Sequence, residues 1–398
     1  MKKIITFILV LFFIIACNDD DNNINTNNNA LSLKLEAALK DSELAGFSVT
    51  VVNSNKVIYQ NSFGYESIVK NEKYGSHTIQ NIASISKTLI GLAIMKAVEI
   101  GKLDLDTDIN SYLPFTVVSP HHPDKKITIR HLATHTSGII DGEMYFRSYV
   151  FENPDEVDTS LYPTDIQPIM GFVKTNVKID ESAFLKNILS TSGDWYTMDN
   201  FTEDVPGGRY QYSNIAATLA AFVVECATGV TYEEFTNTHI FEPLQMNATG
   251  WGFDDVNMKN FAELYYDKEF VVPQYSLVTK ADGGLITSPS DFSKYLMEMM
   301  KGFKGSGTLL SSHSYKEMFR TQAKNNEEQN MYKGLFWDIN ENGVIGHTGG
   351  DPGVITMCAF DPVKNRGYYF VTNMSDDFIE IGDTIDKIWN IVINQKLN

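Results

Sequence analysis

Ile82-Ala-Ser-Ile-Ser-Lys-Thr88 is the stretch on which the reading of this chain turns. After it, Leu89, Leu92, Ala93, Ala97 and Ile100 recur on one side of a helix, and Gly101 stands where that helix would end. The pattern predicts a helix over Ser84–Ile100 with Ser84 and Lys87 three residues apart. Such residues share a face about one turn apart, so hydroxyl and amine can meet without further help from the fold. An amine at that distance can take the hydroxyl proton and make the oxygen a nucleophile. A helix start also offers free backbone N–H groups and a positive dipole end to a developing oxyanion. Ser67 and Lys70 have the same spacing but lack the patterned helix, and they read as a solvated loop.

Upstream, Leu31–Leu44 reads as a helix, with Leu31, Leu35, Ala38 and Leu39 along one side. Phe47–Val52 and Lys56–Gln60 flank Asn53-Ser54-Asn55 as a β-hairpin. From about Leu103 to Met300 the chain is mostly helical, with long polar and aromatic loops between Asp141 and Pro206. Strand character returns in Gly343–His347, Val354–Phe360 and Gly367–Thr372, before a last helix over Ile379–Gln395. Strands at both ends and helices between them predict an α/β (α+β) fold whose sheet is built from both termini. The sheet part is expected over 31–83 and 301–398, the inserted helical part over 84–300.

Two further motifs follow. In Tyr212-Ser213-Asn214, residues two apart on extended backbone point the same way, so phenol and amide can face one cleft. The phenol can relay a proton to a leaving group, and the amide can hold a substrate carbonyl or steady Lys87. His347-Thr348-Gly349-Gly350 follows apolar Val344-Ile345; its glycines let a substrate backbone lie close to a strand edge, and Gly350 can offer its N–H. Tyr59-Gln60-Asn61 repeats the second spacing inside the hairpin and reads as plain strand.

Taken in order, the three motifs resemble those of the serine β-lactamase-related family of class C β-lactamases, D,D-carboxypeptidases and family esterases. Gly101–Asp106, Ile127–Ile139, Phe241–Met246, Gly283–Ile286 and Gly346–Gly353 carry the likeness further, over roughly Leu33–Ile393. The resemblance implies an antiparallel sheet flanked by helices and an acyl-enzyme mechanism without metal or organic cofactor. By position it implies Ser84 as nucleophile, Lys87 as its proton acceptor and Tyr212 as shared base and acid. Asn214, His347, Thr348 and Gly349 become substrate contacts, and the N–H groups of Ser84 and Gly350 an oxyanion hole. Many family members carry lysine where this chain has His347. Histidine titrates near neutrality, so recognition of an anionic group is expected to be weaker or pH-dependent. That favours peptides or esters as substrates over β-lactams; a binding protein that acylates without turnover is the alternative.

The chain's beginning gives its address. Lys2 and Lys3 precede an apolar run from Ile4 to Ile15, too short for a bilayer that needs roughly 20 residues. With Ala16-Cys17 after it, 1–17 reads as a secretory signal resembling that of a bacterial lipoprotein, with Cys17 as the lipidated residue. A lipid anchor to a bacterial membrane and an extracytoplasmic location are the expectation. The Asn- and Asp-rich residues 18–30 carry too little apolar surface to order themselves and read as a flexible tether.

Composition narrows the classes. Of 398 residues, 32 are basic and 50 acidic, a formal net charge of −18 that repels phosphate backbones and argues against nucleic acid as a partner. Three cysteines cannot form a disulfide scaffold; Cys226 and Cys358 read as buried small hydrophobes. His131 and His135 are four apart, but Leu132 stands where a zinc protease needs glutamate, so a structural corner is the better reading. His121-His122-Pro123 reads as loop, and Tyr145, Trp195 and Tyr196 as loop or core packing.

Overall fold

The computed structural model describes residues 19–164, 166–326, 330–375 and 380–397. The signal segment and Cys17 lie outside the described residues, as does Ile379. Among the described residues, an antiparallel sheet of nine strands organises the molecule. Its strands are β1 (Gly46–Val52), β2 (Val57–Ser67), β3 (Glu72–Lys73), β4 (Ala323–Asn326), β5 (Met331–Lys333), β6 (Asp338–Ile339), β7 (Ile345–Asp351), β8 (Val354–Asp361) and β9 (Arg366–Thr372). They lie in the order β3-β2-β1-β9-β8-β7-β6-β5-β4. β1 pairs with β9, Phe47 opposite Thr372 and Val52 opposite Gly367, so both ends of the chain meet in the middle of the sheet as expected.

The hairpin and the three late strands form, but β2 runs on from the expected Gln60 to Ser67 and β7 covers Ile345–Asp351 rather than Gly343–His347. β8 buries every second side chain from Val354 to Phe360. The sequence reading did not include β3 or β4–β6, whose two to four residues are too short to show a period.

Helices cover both faces. α1 (Asp19–Lys40) anchors through buried Leu31, Leu35 and Ala38 and packs against the closing helix Gly382–Asn394 over one face. α1 begins at Asp19, so helical backbone continues through most of the segment expected to be an unstructured tether. A helix nucleated by its buried turns propagates at one hydrogen bond per residue, which composition alone does not rule out. α4 (Pro289–Phe303) lies on the other face against β1 and β9.

Behind it, α2 (Lys87–Glu99) packs against α3 (Asn214–Thr228); Ile215 to Val224 of α3 are all buried, as the centre of a large core requires. α5 (Ser312–Phe319) packs on α2 and α4. The main apolar core runs unbroken from the helices to Ile345, Phe360 and Val371 of the sheet. Gly91, in the middle of α2, lets the helix lie against the Leu335 carbonyl; an added methyl would come within 2.4 Å of that oxygen.

Candidate active site

The predicted helix from Ser84 begins instead with a single 3-10 turn, Ala83–Ser86, and α2 proper starts at Lys87. Ala83 is held at φ +50, a left-handed conformation costly for a residue with a Cβ. Neighbouring bonds hold the turn. Ser86 Oγ donates to the Ala83 carbonyl at 2.7 Å, and Thr356 Oγ1 on β8 donates to the Ile82 carbonyl at 2.8 Å. The sheet thereby fixes the turn that presents Ser84.

Two groups donate to Ser84 Oγ: Lys87 Nζ from 2.9 Å and Tyr212 Oη from 2.8 Å. The Lys87 amine is closed off from solvent, and its other contacts are Asn214 Oδ1 at 2.7 Å and the Asp282 carbonyl at 2.5 Å. Three oxygens thus surround the amine. Lys87 reaches the nucleophile from the buried side. Tyr212 reaches it from a cleft of about 270 Å³ lined also by Tyr210, Lys333, Asp338 and His347 to Gly350.

Tyr212 and Asn214 converge as their spacing predicts, with extended Ser213 between them turned the other way. Of the two roles open to Asn214, the structure shows the one towards Lys87. Ser213 caps α3, accepting from Ala216 N at 3.0 Å. Asp141 completes the cap, taking Ser213 Oγ at 2.8 Å, Asn214 N at 2.8 Å and Ile215 N at 3.0 Å. His135 supports Tyr212 from behind, with ring centroids 4.6 Å apart and Nδ1 accepting from Ser213 N at 3.2 Å. Burial holds its pKa well below the usual value, so the ring is neutral, as an accepting Nδ1 requires.

Asp282, whose carbonyl holds Lys87, has a buried carboxyl that accepts from Tyr145 Oη and Thr218 Oγ1, both at 3.1 Å. Burial pushes its pKa up to about 6. Tyr145 is packed in the core, one of the two roles expected of it, and its hydroxyl reaches Asp282 behind the site. Asp141, His135 and Asp282 were not among the sequence-predicted site residues. The only signal for Asp282 was its place directly before the Gly283-Gly284 pair.

On the other wall, β7 brings Gly349 against the nucleophile turn. A methyl added there would come within 2.5 Å of Thr356 Oγ1 and 2.9 Å of the Ser84 amide nitrogen. Gly349→Ala is expected to push β7 off the turn and lower kcat/KM about 10²-fold with the protein still folded, since small displacements of reacting groups cost about that much. Steady-state kinetics beside a thermal melt checks this, and an unaltered kcat/KM refutes the close fit.

His347 departs from expectation. It is only 5% exposed, its Nδ1–H donates to the Thr348 carbonyl at 2.6 Å, and Nε2 has no partner among the described residues. Burial, the largest cause, brings its pKa from 6.5 down to about 4. It is therefore neutral at neutral pH, and the expected titration near neutrality is overturned by desolvation. Such a depressed pKa contributes stability above about pH 6.5 that is lost as pH falls towards 4, because the unfolded chain takes up the proton first. From pH 7 to 5, His347→Gln should lose about 2 kcal/mol less stability than the parent in urea titrations. Equal losses would contradict a buried neutral ring.

The cation on this wall is Lys333, missed in the sequence. It is 1% exposed, with Nζ 2.6 Å from Asp338 Oδ1 across the β5–β6 pair and 5.4 Å from the centre of the Tyr210 ring. Ser67, the last residue of β2, is buried rather than loop; its hydroxyl donates to Glu263, which also pairs with Lys70. Cys226 is half-buried and Cys358 buried, both as free thiols.

The profile of the family described as Beta-lactamase matches residues 33–383. Protein flp of Staphylococcus aureus (strain MW2) is 21% identical over 379 residues, 94% of this chain and 68% of that protein. Penicillin-binding protein 4* of Bacillus subtilis (strain 168) is 24% identical over 350 residues, 83% of this chain and 68% of that one. In fold, the chain is similar to a beta-lactamase/D-alanine carboxypeptidase from Pseudomonas syringae, with a TM-score of 0.66 at 17% identity over 94% of this chain and 99% of that one.

Proposed function

The chain belongs to the Beta-lactamase family, and from that premise we propose that it is a serine hydrolase that cleaves peptide-amide or ester carbonyls through an acyl-enzyme. The observation that carries this is the placement of Lys87 Nζ and Tyr212 Oη within 2.9 Å of Ser84 Oγ. With the amine–phenol pair one proton short, Oγ attacks the carbonyl carbon as its own proton passes to that pair. Of these two, Tyr212 lines the cleft and is placed to hand the proton to the leaving group as the C–N or C–O bond breaks. Water then attacks the ester on Ser84, releasing the acid and returning a proton to Oγ. The Ser84 and Gly350 N–H groups hold the oxyanion; removing one such donor typically costs about 10²–10³ in kcat.

The Lys2–Cys17 pattern supports an extracytoplasmic enzyme anchored to a bacterial membrane through lipid on Cys17. D-amino-acid peptides, short acyl esters and β-lactams are the candidate substrates. Intact-mass analysis after exposure to a D-Ala-D-Ala peptide, an ester and a β-lactam tests the reading. A transient single adduct with continuing product release is expected. A stoichiometric burst with a lasting adduct on all three would show a binding protein instead, and no adduct or turnover on any would refute the reading.

A further inference from the structure

A second cavity, of about 440 Å³, meets the catalytic cleft at Gly350, which lines both. Its walls are Phe146, Tyr149, Ile169, Met170, Tyr275 and Ile355. Phe146 and Ile169 are 43% and 36% exposed, so apolar side chains stand at a rim open to solvent. The carboxyl next to Gly350, Asp351, accepts from Tyr149 Oη at 2.7 Å, and burial pushes its pKa up to about 7, so its charge is progressively lost as pH falls below that value. The volume lies in the range of small-molecule sites, and a mostly apolar lining with a few placed polar groups is their usual composition.

The opposite wall offers little to an anion. Among the described residues lining the cleft, Lys333 is already paired with Asp338, and His347 is neutral. A substrate carboxylate would have to compete with Asp338 for Lys333, whereas an apolar group finds a cavity beside the oxyanion N–H.

Resting on the acyl-enzyme reading above, we infer that this cavity is the subsite for an apolar substituent flanking the scissile carbonyl, which makes neutral esters or amides with an extended apolar group the substrate class. The test is hydrolysis of two neutral ester series. One is p-nitrophenyl esters from acetate to hexanoate; the other is acetates of alcohols from methanol to hexanol. Burying a methylene predicts that kcat/KM rises about two- to fourfold per carbon in one of the series. Ile169→Trp, at a half-exposed rim position on the Gln167–Lys174 helix, should flatten that rise by filling the mouth. Ile169→Ser, which leaves the room but removes apolar contact, should reduce the slope less. Flat series with turnover that still depends on Ser84 overturn the subsite and leave the hydrolase reading standing. Absence of Ser84-dependent turnover on every ester overturns that reading and the subsite with it.

Discussion

Ser84→Ala should abolish both covalent labelling and turnover, a loss on the order of 10⁶-fold or down to background, the scale seen when a nucleophile that acts as a unit with its base is removed. The geometry makes the loss specific. Lys87 and Tyr212 both donate to this oxygen, and Ser86 is committed elsewhere, buried with its hydroxyl bonded to the Ala83 carbonyl. No neighbouring hydroxyl in the turn can substitute. Alanine keeps the turn, whose conformation depends on Ala83, Ser86 and Thr356 rather than on the Ser84 side chain. The variant should therefore melt close to the parent. Retained labelling on a folded Ser84→Ala protein removes Ser84 from its role.

Lys87→Met carries the next largest effect, and it falls on rate and stability together. Methionine fills the volume but leaves Asn214 Oδ1 and the Asp282 carbonyl without the donor they share. Each buried acceptor left unpaired costs about 1–3 kcal/mol. Loss of proton transfer from Ser84 Oγ is expected to lower acylation by about 10³–10⁴-fold. Tyr212→Phe separates the two consequences. Its hydroxyl faces the cleft, so the variant should keep parental stability while acylation falls about 10²–10⁴-fold. Stopped-flow acylation beside urea denaturation reads both. A Tyr212→Phe protein as active as its parent would take the phenol out of the proton path.

What the sequence revealed and what it hid follow from distance along the chain. Ser84 and Lys87 were legible because one turn of helix brings them together, and Tyr212 and Asn214 because extended Ser213 aligns them. The helix starts three residues later than the pattern predicts, since the left-handed Ala83 is set by contacts with the sheet and leaves no local signal. Asp141, His135 and Asp282 hold the site by contacts that span more than 60 residues of chain, which periodicity does not encode. Lys333 and Asp338 sit on strands of two or three residues, too short for alternation to mark. The neutral His347 illustrates the same limit: a histidine's identity predicts titration near neutrality, but burial set by the tertiary fold decides its charge.

The most direct test is to trap the acyl-enzyme with a slowly released ester, digest it, and locate the added mass by peptide fragmentation. One acyl group is expected, on Ser84, and none when Tyr212 and Lys87 are both replaced. An adduct on any other side chain, or one that forms equally fast without that pair, would contradict the mechanism.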